Sequence, residues 1–326
     1  MGAIETRGLT RYYGDLCAVD HLDLAVREGE TLGFLGPNGA GKTTTIRMLT
    51  GLIRPTAGAA RVAGYDLAAE PLEVKRRVGV VPQRSNLYGE LSARDNLVFV
   101  AQLYGLPRAR WRPRADELLE RFGLAERAAA PFAALSGGMK RRLTIAAALL
   151  HEPAILFLDE PTTGLDVQAA RSIRGLVSTL RASGVTVFLT THLIAEAEQL
   201  ADRVAIIVRG RLIALDTPAA LCAACDGGTV LELEVPAPSE GLLTALRSLE
   251  GVEYVSRSGE ALHVGLTDLL AGVGAVVGAI RAHGGALQAI RSVRPSLEDA
   301  FVQLTDLDAE ALQTGPGPNR RDGGGR

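Results

Sequence analysis

Nine residues, Gly36-Pro37-Asn38-Gly39-Ala40-Gly41-Lys42-Thr43-Thr44, constrain this chain more than any other stretch. They follow an apolar run, Thr31-Leu32-Gly33-Phe34-Leu35, and open into Ile46-Arg47-Met48-Leu49, whose apolar spacing is helical. Strand, glycine-rich turn and helix in that order let a backbone wrap an anion. Glycines allow successive N–H groups to point inward, and the helix adds its positive end. Lys42 would then reach the β- and γ-phosphates as a point charge, and the Thr43 hydroxyl would ligate Mg²⁺. The bland alternative is a turn with a chance Lys-Thr, but every fixed position is filled and both flanks fit. The stretch implies a nucleotide site.

The remaining bulk properties narrow the class. A chain of 326 residues suggests about two domains. A net charge of -2 gives no reason to expect nucleic acid as a partner. No uninterrupted apolar run reaches the ~20 residues needed to span a bilayer; the nearest, Leu269 to Ile280, is short and rich in Gly and Ala. A secretory leader is not expected, because Glu5 and Arg7 break the early sequence. Residues 1–6 match a loose myristoylation pattern but run straight into an apparent strand, which reads as chance. Three cysteines make no disulfide framework, and the Cys222/Cys225 pair lacks the second pair that a zinc site needs.

Taken in order, Ile4 to Val26 alternates as a short antiparallel sheet, with Tyr12-Tyr13-Gly14 at a turn. Tyr13 is open to two readings, a purine-stacking aromatic or a half-buried strand tyrosine. Gly58 to Tyr65 and Val78 to Val81 read as strands, the second ending at Pro82-Gln83. Residues 85–150 read as mostly helical, with Leu97, Val98, Val100, Ala101 and Leu103 on one face and Leu118, Leu119 and Phe122 on another. The basic stretch around Trp111 is bounded by Pro107 and Pro113 and soon neutralised by Asp116, Glu117 and Glu120, as a solvated connector would be.

Leu135-Ser136-Gly137-Gly138-Met139 opens a further helix running through Leu150, and a Ser with two glycines at a helix start makes a second anion site. Ala154 to Leu158 is a continuous apolar strand ending in Asp159-Glu160. Paired carboxylates at a sheet's carboxyl edge are costly unless a metal or a reaction answers them. Val185 to Thr190 repeats the pattern and ends at His192, better placed for chemistry than an average histidine.

Together the phosphate loop, Gln83, Leu135-Ser136-Gly137-Gly138, Asp159-Glu160, Gly164-Leu165-Asp166 and His192 strongly resemble the ordered motifs of the ATP-binding subunit of an ABC transporter, over about the first 220 residues. Met139 stands where the family most often has Gln, which is similar to the daunorubicin-type drug-resistance and nodulation-factor export branch. The resemblance implies an α/β fold of the P-loop NTPase ABC ATPase type: a mixed central sheet, an N-terminal antiparallel β subdomain and a helical subdomain over about residues 85–150. It also implies roles. Tyr13 stacks on adenine, and residues 36–44 wrap the phosphates. Thr43, Asp159 and Gln83 serve Mg²⁺, Glu160 polarises the attacking water, and His192 contacts the γ-phosphate. Ser136, Gly137 and Gly138 act in trans, while Asp166 signals across the dimer.

Beyond Pro218 the pattern reads β-α-β-β-α-β: Thr229 to Val235, Leu242 to Leu249, Val252 to Ser256, Ala261 to Gly265, Leu269 to Ala282 and Ala286 to Val293. Pro295-Ser296-Leu297-Glu298-Asp299-Ala300-Phe301 comes next, with Ser296 as N-cap and Asp299 at the capping-box position, where Asp is not the preferred residue. Its Leu297, Ala300, Phe301 and Leu304 fall on one helical face, suited either to the domain's own core or to assembly. Pattern and ending resemble the accessory domain of ABC-2-type exporter ATPases, giving expected domains at residues 1–220 and 228–306, then a disordered tail at 313–326. The expectation is an ATPase at the cytoplasmic face of the membrane, a homodimer sandwiching ATP, with separate ABC-2-type permease subunits and no nucleic acid. Its cargo would be a drug or hydrophobic natural product, or else a lipid-linked saccharide. DNA-end ATPases of this type carry a long coiled coil between Lys42 and Asp159, ribosome-acting ones carry two cassettes, and importers lack the 295–301 segment.

Overall fold

The computed structural model describes residues 2–224, 229–258, 261–305 and 307. Cys225 and the tail at 313–326 lie outside the described residues. By its internal contacts the chain divides into two compact units, Met1–Leu212 and Ile213–Arg326.

The first unit opens with two long strands, β1 (Gly2–Tyr13) and β2 (Leu16–Arg27), paired antiparallel. Alternate residues such as Ile4, Leu22, Leu24 and Val26 are buried, as the sequence alternation requires. Then come β3 (Thr31–Leu35), α1 (Lys42–Leu49), β4 (Ala57–Val62), β5 (Tyr65–Asp66), α2 (Pro71–Arg77) and β6 (Val78–Val81). The expected strand from Gly58 to Tyr65 is thus broken at Ala63-Gly64, both at positive φ, into a hairpin.

Helices α3 (Ala93–Leu103), α4 (Arg108–Arg121) and α5 (Gly137–Ala148) form the helical subdomain. Its core is Leu97, Ala101, Ala115, Leu118, Leu119 and Leu143. The expected α3 face needs one correction: Leu103 is 69% exposed, whereas Leu97 and Ala101 are buried and the half-buried Val98 and Val100 pack against the same core. The chain continues with β7 (Ile155–Asp159), α6 (Val167–Ala182), β8 (Thr186–Thr191), α7 (Ile194–Leu200), β9 (Arg203–Val208) and β10 (Arg211–Asp216), the last of which begins in the first unit and ends past its boundary.

The main sheet runs β10-β9-β3-β8-β7-β6, with β9, β3, β8, β7 and β6 mutually parallel. β3, β7 and β8 are buried throughout, and Phe34, Phe188 and Phe157 pack in a row across them with ring centroids 5.2 and 5.4 Å apart. Parallel alignment brings the segments after Leu35, Val81, Asp159 and Thr191 to one edge of the sheet.

The second unit contains α8 (Pro218–Ala223), β11 (Thr229–Glu234), α9 (Glu240–Arg247), β12 (Val252–Ser258), β13 (Ala261–Leu266), α10 (Leu269–Ala282), β14 (Ala289–Val293) and α11 (Leu297–Thr305). The antiparallel sheet has the order β12-β13-β11-β14. Leu231, Leu233, Leu262 and Val264 meet α9 and α10 through Leu242, Leu246, Val276 and Ile280. Helix α11 packs on β12, and its Leu297, Ala300 and Phe301 are fully buried while Leu304 is half exposed. The stripe is therefore mostly spent on this unit's own core. Among the described residues no helix is long and apolar enough to cross a membrane.

Candidate functional site

The loop between β3 and α1 is shaped by backbone geometry. Gly41 caps α1 at φ 103, and a Cβ there would lie 2.4 Å from the Ala18 carbonyl of β2, so only glycine fits. No side chain caps the first amides of α1. Ala40 N–H donates to the Pro37 carbonyl at 3.1 Å, closing the turn, with Asn38 half-buried and Gly39 exposed at its tip. Lys42, 5% exposed, folds back over this loop and donates to the carbonyls of Gly36 (2.7 Å) and Pro37 (3.1 Å). Thr43 donates to Asp159 Oδ2 at 2.9 Å, and Thr190 donates to Asp159 Oδ1 at 2.6 Å. Thr44 is half-buried.

Glu160 is the hub. It lies just past β7 in a left-handed conformation, φ 45, its N–H held 3.1 Å from the carbonyl of Thr190. Lys42 Nζ stands 3.2 Å from Oε1; Gln83 Nε2 and Thr163 Oγ1 donate to Oε2 at 3.1 and 3.2 Å. His192 Nδ1 is 3.3 Å from Oε2 but misses hydrogen-bond geometry, so that buried nitrogen has no hydrogen-bond partner. Burial pushes the Glu160 carboxyl upward, but His192 and Lys42 outweigh it and hold the group down at about 2. Burial pulls the Lys42 ammonium below its ordinary value, with Glu160 partly offsetting it.

These contacts fit the groups the sequence implies. Uncapped amides, a lysine resting on carbonyls and a buried imidazole nitrogen without a partner are what phosphate oxygens satisfy. The Thr43 hydroxyl beside the Asp159 carboxylate offers the hard oxygen ligands that Mg²⁺ takes, one or two from protein and the rest from phosphate.

Other expected residues stay apart. Ser136 is the N-cap of α5, accepting from the Met139 N–H at 3.3 Å, and Asp166 caps α6 through the Ala169 N–H at 2.8 Å. Ser136, Gly137 and Asp166 are exposed, and Gly138 is half-buried. Among the described residues, none of their hydrogen bonds reaches the phosphate loop. Tyr13, the last residue of β1, is 41% exposed, and the Arg11 guanidinium covers its ring at 4.7 Å.

Four contributors escaped the sequence reading. Thr190 and Thr163 hold the carboxylates, and nothing marks one strand or loop threonine over another. Arg141, 7% exposed, donates to the carbonyls of Pro161 (2.8 Å), Asp159 (2.9 Å) and Pro82 (2.5 Å), with Gln83 O at 3.5 Å. Lying in the run Lys140-Arg141-Arg142, it gives no sign of burial. Glu196 of α7, also buried, accepts from Thr162 at 2.9 Å, and burial pushes its carboxyl up.

The ABC transporter family model matches residues 19–163. A daunorubicin resistance ATP-binding protein of Streptomyces coeruleorubidus is 42% identical, over 94% of this chain and 96% of its own. A Nod factor export ATP-binding protein of Ralstonia nicotianae is also 42% identical, over 93% of each chain. Among solved structures, an ATP-binding cassette captured as a post-hydrolysis dimer with ADP and phosphate aligns at a TM-score of 0.60 and 27% identity, over 66% of this chain and 98% of that one.

Proposed function

Because the chain belongs to the ATP-binding subunit family of ABC transporters and is an ATP-hydrolysing subunit of the exporter type, we propose that it powers an ABC-2-type exporter as a homodimer coupled to separate membrane permease subunits. Residues 1–220 would be the ATP-binding domain and residues 228–306 an accessory domain supporting assembly. The observation that carries the reading is the convergence on Glu160. Lys42, Gln83 and His192, each from a different strand end, lie within 3.3 Å of one buried, ionised carboxylate.

In this reading the loop amides and Lys42 hold the β- and γ-phosphates, and His192 Nδ1 turns to the γ-phosphate. Glu160 accepts a hydrogen bond from the attacking water and orients it, with Gln83 beside it. Thr43 and Asp159, near Gln83, would hold Mg²⁺, which would supply neutralising charge to the phosphate oxygens. Phosphoryl transfer asks a protein mainly for positioning and charge stabilisation, which these groups supply. Ser136 and Gly137 are exposed and Gly138 is half-buried, and in this reading they serve the γ-phosphate of a second copy; Asp166 would report across the same interface. Tyr13 stacks on adenine through the ring face that Arg11 leaves open.

The preferred cargo is a drug or other hydrophobic natural product, supported by the drug-resistance relatives. A lipo-oligosaccharide is the second reading, favoured by the equal identity to a Nod factor export protein. Deleting the gene and comparing accumulation of amphiphilic antibiotics with secretion of lipo-oligosaccharide separates the two. For the reaction itself, Glu160→Gln keeps shape but removes the charge, so turnover should fall by about 10²–10⁴ while ATP binding persists. Near-normal hydrolysis by this variant overturns the assignment.

A further inference from the structure

We infer that Arg141 is a positioning residue for hydrolysis: its guanidinium clamps the backbone on both sides of Glu160 and the backbone that carries Gln83. The inference rests on the reading of Glu160 as the water-orienting carboxylate. Arg141 Nε and Nη2 donate to the carbonyls of Pro161 and Asp159, the residues immediately after and before Glu160. Nη1 donates to the carbonyl of Pro82, adjoining Gln83. One planar group thus ties together the ends of β6 and β7 and the helix α5 that Ser136 caps.

Two features make a merely structural role a poor account. Glu160 sits at φ 45, a conformation that L side chains rarely adopt and that persists only where surrounding contacts impose it. Carbonyls grasped on either side of such a residue fix where its carboxylate points. The cation is also expensive: burial pulls its pKa down to about 10, and its hydrogen bonds among the described residues go to carbonyls, none to a carboxylate. The rigid fork matters here. A lysine carries its three donors on a single nitrogen and lacks the planar spread of the guanidinium fork.

The test is Arg141→Lys, with Arg141→Met as a second variant, each in the parent and in a Glu160→Gln background. Steady-state kcat and KM, fluorescent-nucleotide affinity and thermal unfolding are measured on the full chain. The expected result for Lys is a kcat reduced about 10- to 100-fold, as small misplacements of a reacting group produce. Nucleotide affinity should stay within about threefold and the melting temperature near the parent's. In the Glu160→Gln background Arg141→Lys should cost nothing further, because the group it positions is gone. An unchanged kcat overturns the proposal, as do parallel losses of affinity and stability, failure of both variants to fold, or multiplicative losses with Glu160→Gln. Near-normal hydrolysis by Glu160→Gln alone instead removes the carboxylate reading, and with it this proposal, without any Arg141 variant being needed.

Discussion

Replacing Asp299 with Asn should loosen the last helix of the second unit in a pH-dependent way. Asp299 is fully buried; it accepts from Ser296 N–H (2.8 Å) and Oγ (2.6 Å) and lies 3.0 Å from His263 Nδ1. Its own N–H returns a bond to Ser296 Oγ, completing the capping box despite the unfavoured residue type. The imidazole lies between that carboxylate and Glu232 of β11, 3.5 Å away, with Ser256 of β12 on Asp299 and Arg291 of β14 on Glu232. Asp299 lifts the His263 pKa above its ordinary value, against burial; burial in turn raises Asp299, but His263 and Ser296 outweigh it and bring it down. A raised histidine stabilises fully below about 6.5 and loses that contribution as pH rises through its folded value. The lowered aspartate stabilises above about 4 and loses its share as pH falls through its folded value. The helix is therefore best held between about pH 4 and 6.5. Stranding a buried charge costs about 3–5 kcal/mol, reduced here to about 2–3 because Glu232 remains and the cap geometry survives in Asn. Above the raised folded value of His263, once the imidazole is neutral, about 1 kcal/mol should be left. Hydrogen exchange of residues 297–305, variant against parent, should accelerate about 30- to 150-fold at pH 6 and about fivefold once the pH has passed above the folded value of His263. Equal acceleration at the two pH values, or less than about threefold at pH 6, refutes the ion-pair account.

Two further expectations concern the first unit. Gly138→Ala would place a Cβ 2.9 Å from the Ala169 Cβ, forcing α6 away from α5 at a cost of about 1–3 kcal/mol and lowering ATPase activity, whereas Met139→Gln should leave hydrolysis within about threefold; thermal melts and steady-state rates check both. Glu160, held at about 2, should remain a carboxylate throughout pH 5–9, and the stability it lends should be full above about 4.5 and lost only as pH falls through about 2; a carboxyl ¹³C resonance absent in Glu160→Gln that titrates above pH 4 would contradict this.

The site's skeleton was legible because it is written in local order. Each apolar run of β3, β7 and β8 ends in the residues that act, and parallel pairing alone puts those ends together. What stayed hidden depends on distance. Arg141 and the carbonyls of Pro82 and Pro161 are 59 and 20 residues apart, and an arginine between two basic neighbours looks like a solvated face. His263 and Asp299 meet across 36 residues, so Asp299 was readable as a cap and not as a counterion. Leu103 misled for the opposite reason: a run of apolar residues in α3 looked like one face, but a helix turns 100° per residue and carries some of them to solvent.

The arrangement of the two helix starts has a mechanical consequence. Ser136 and Asp166 cap α5 and α6 at exposed positions, and Gly138 lets the two helices touch through Ala169. In the proposed dimer both caps would belong to the half of the site that faces the second copy. Glu160, in contrast, is buried and cannot be reached from those caps by any hydrogen bond they make among the described residues. A displacement of α5 on docking a second copy can reach Glu160 through what α5 grips. Arg141 lies in the second turn of that helix and holds the carbonyls flanking Glu160, so a shift at the cap would be passed toward the carboxylate through those hydrogen bonds. Closure of the dimer and alignment of the water would then be a single event, which accounts for placing a desolvated cation where a neutral side chain would be cheaper to bury.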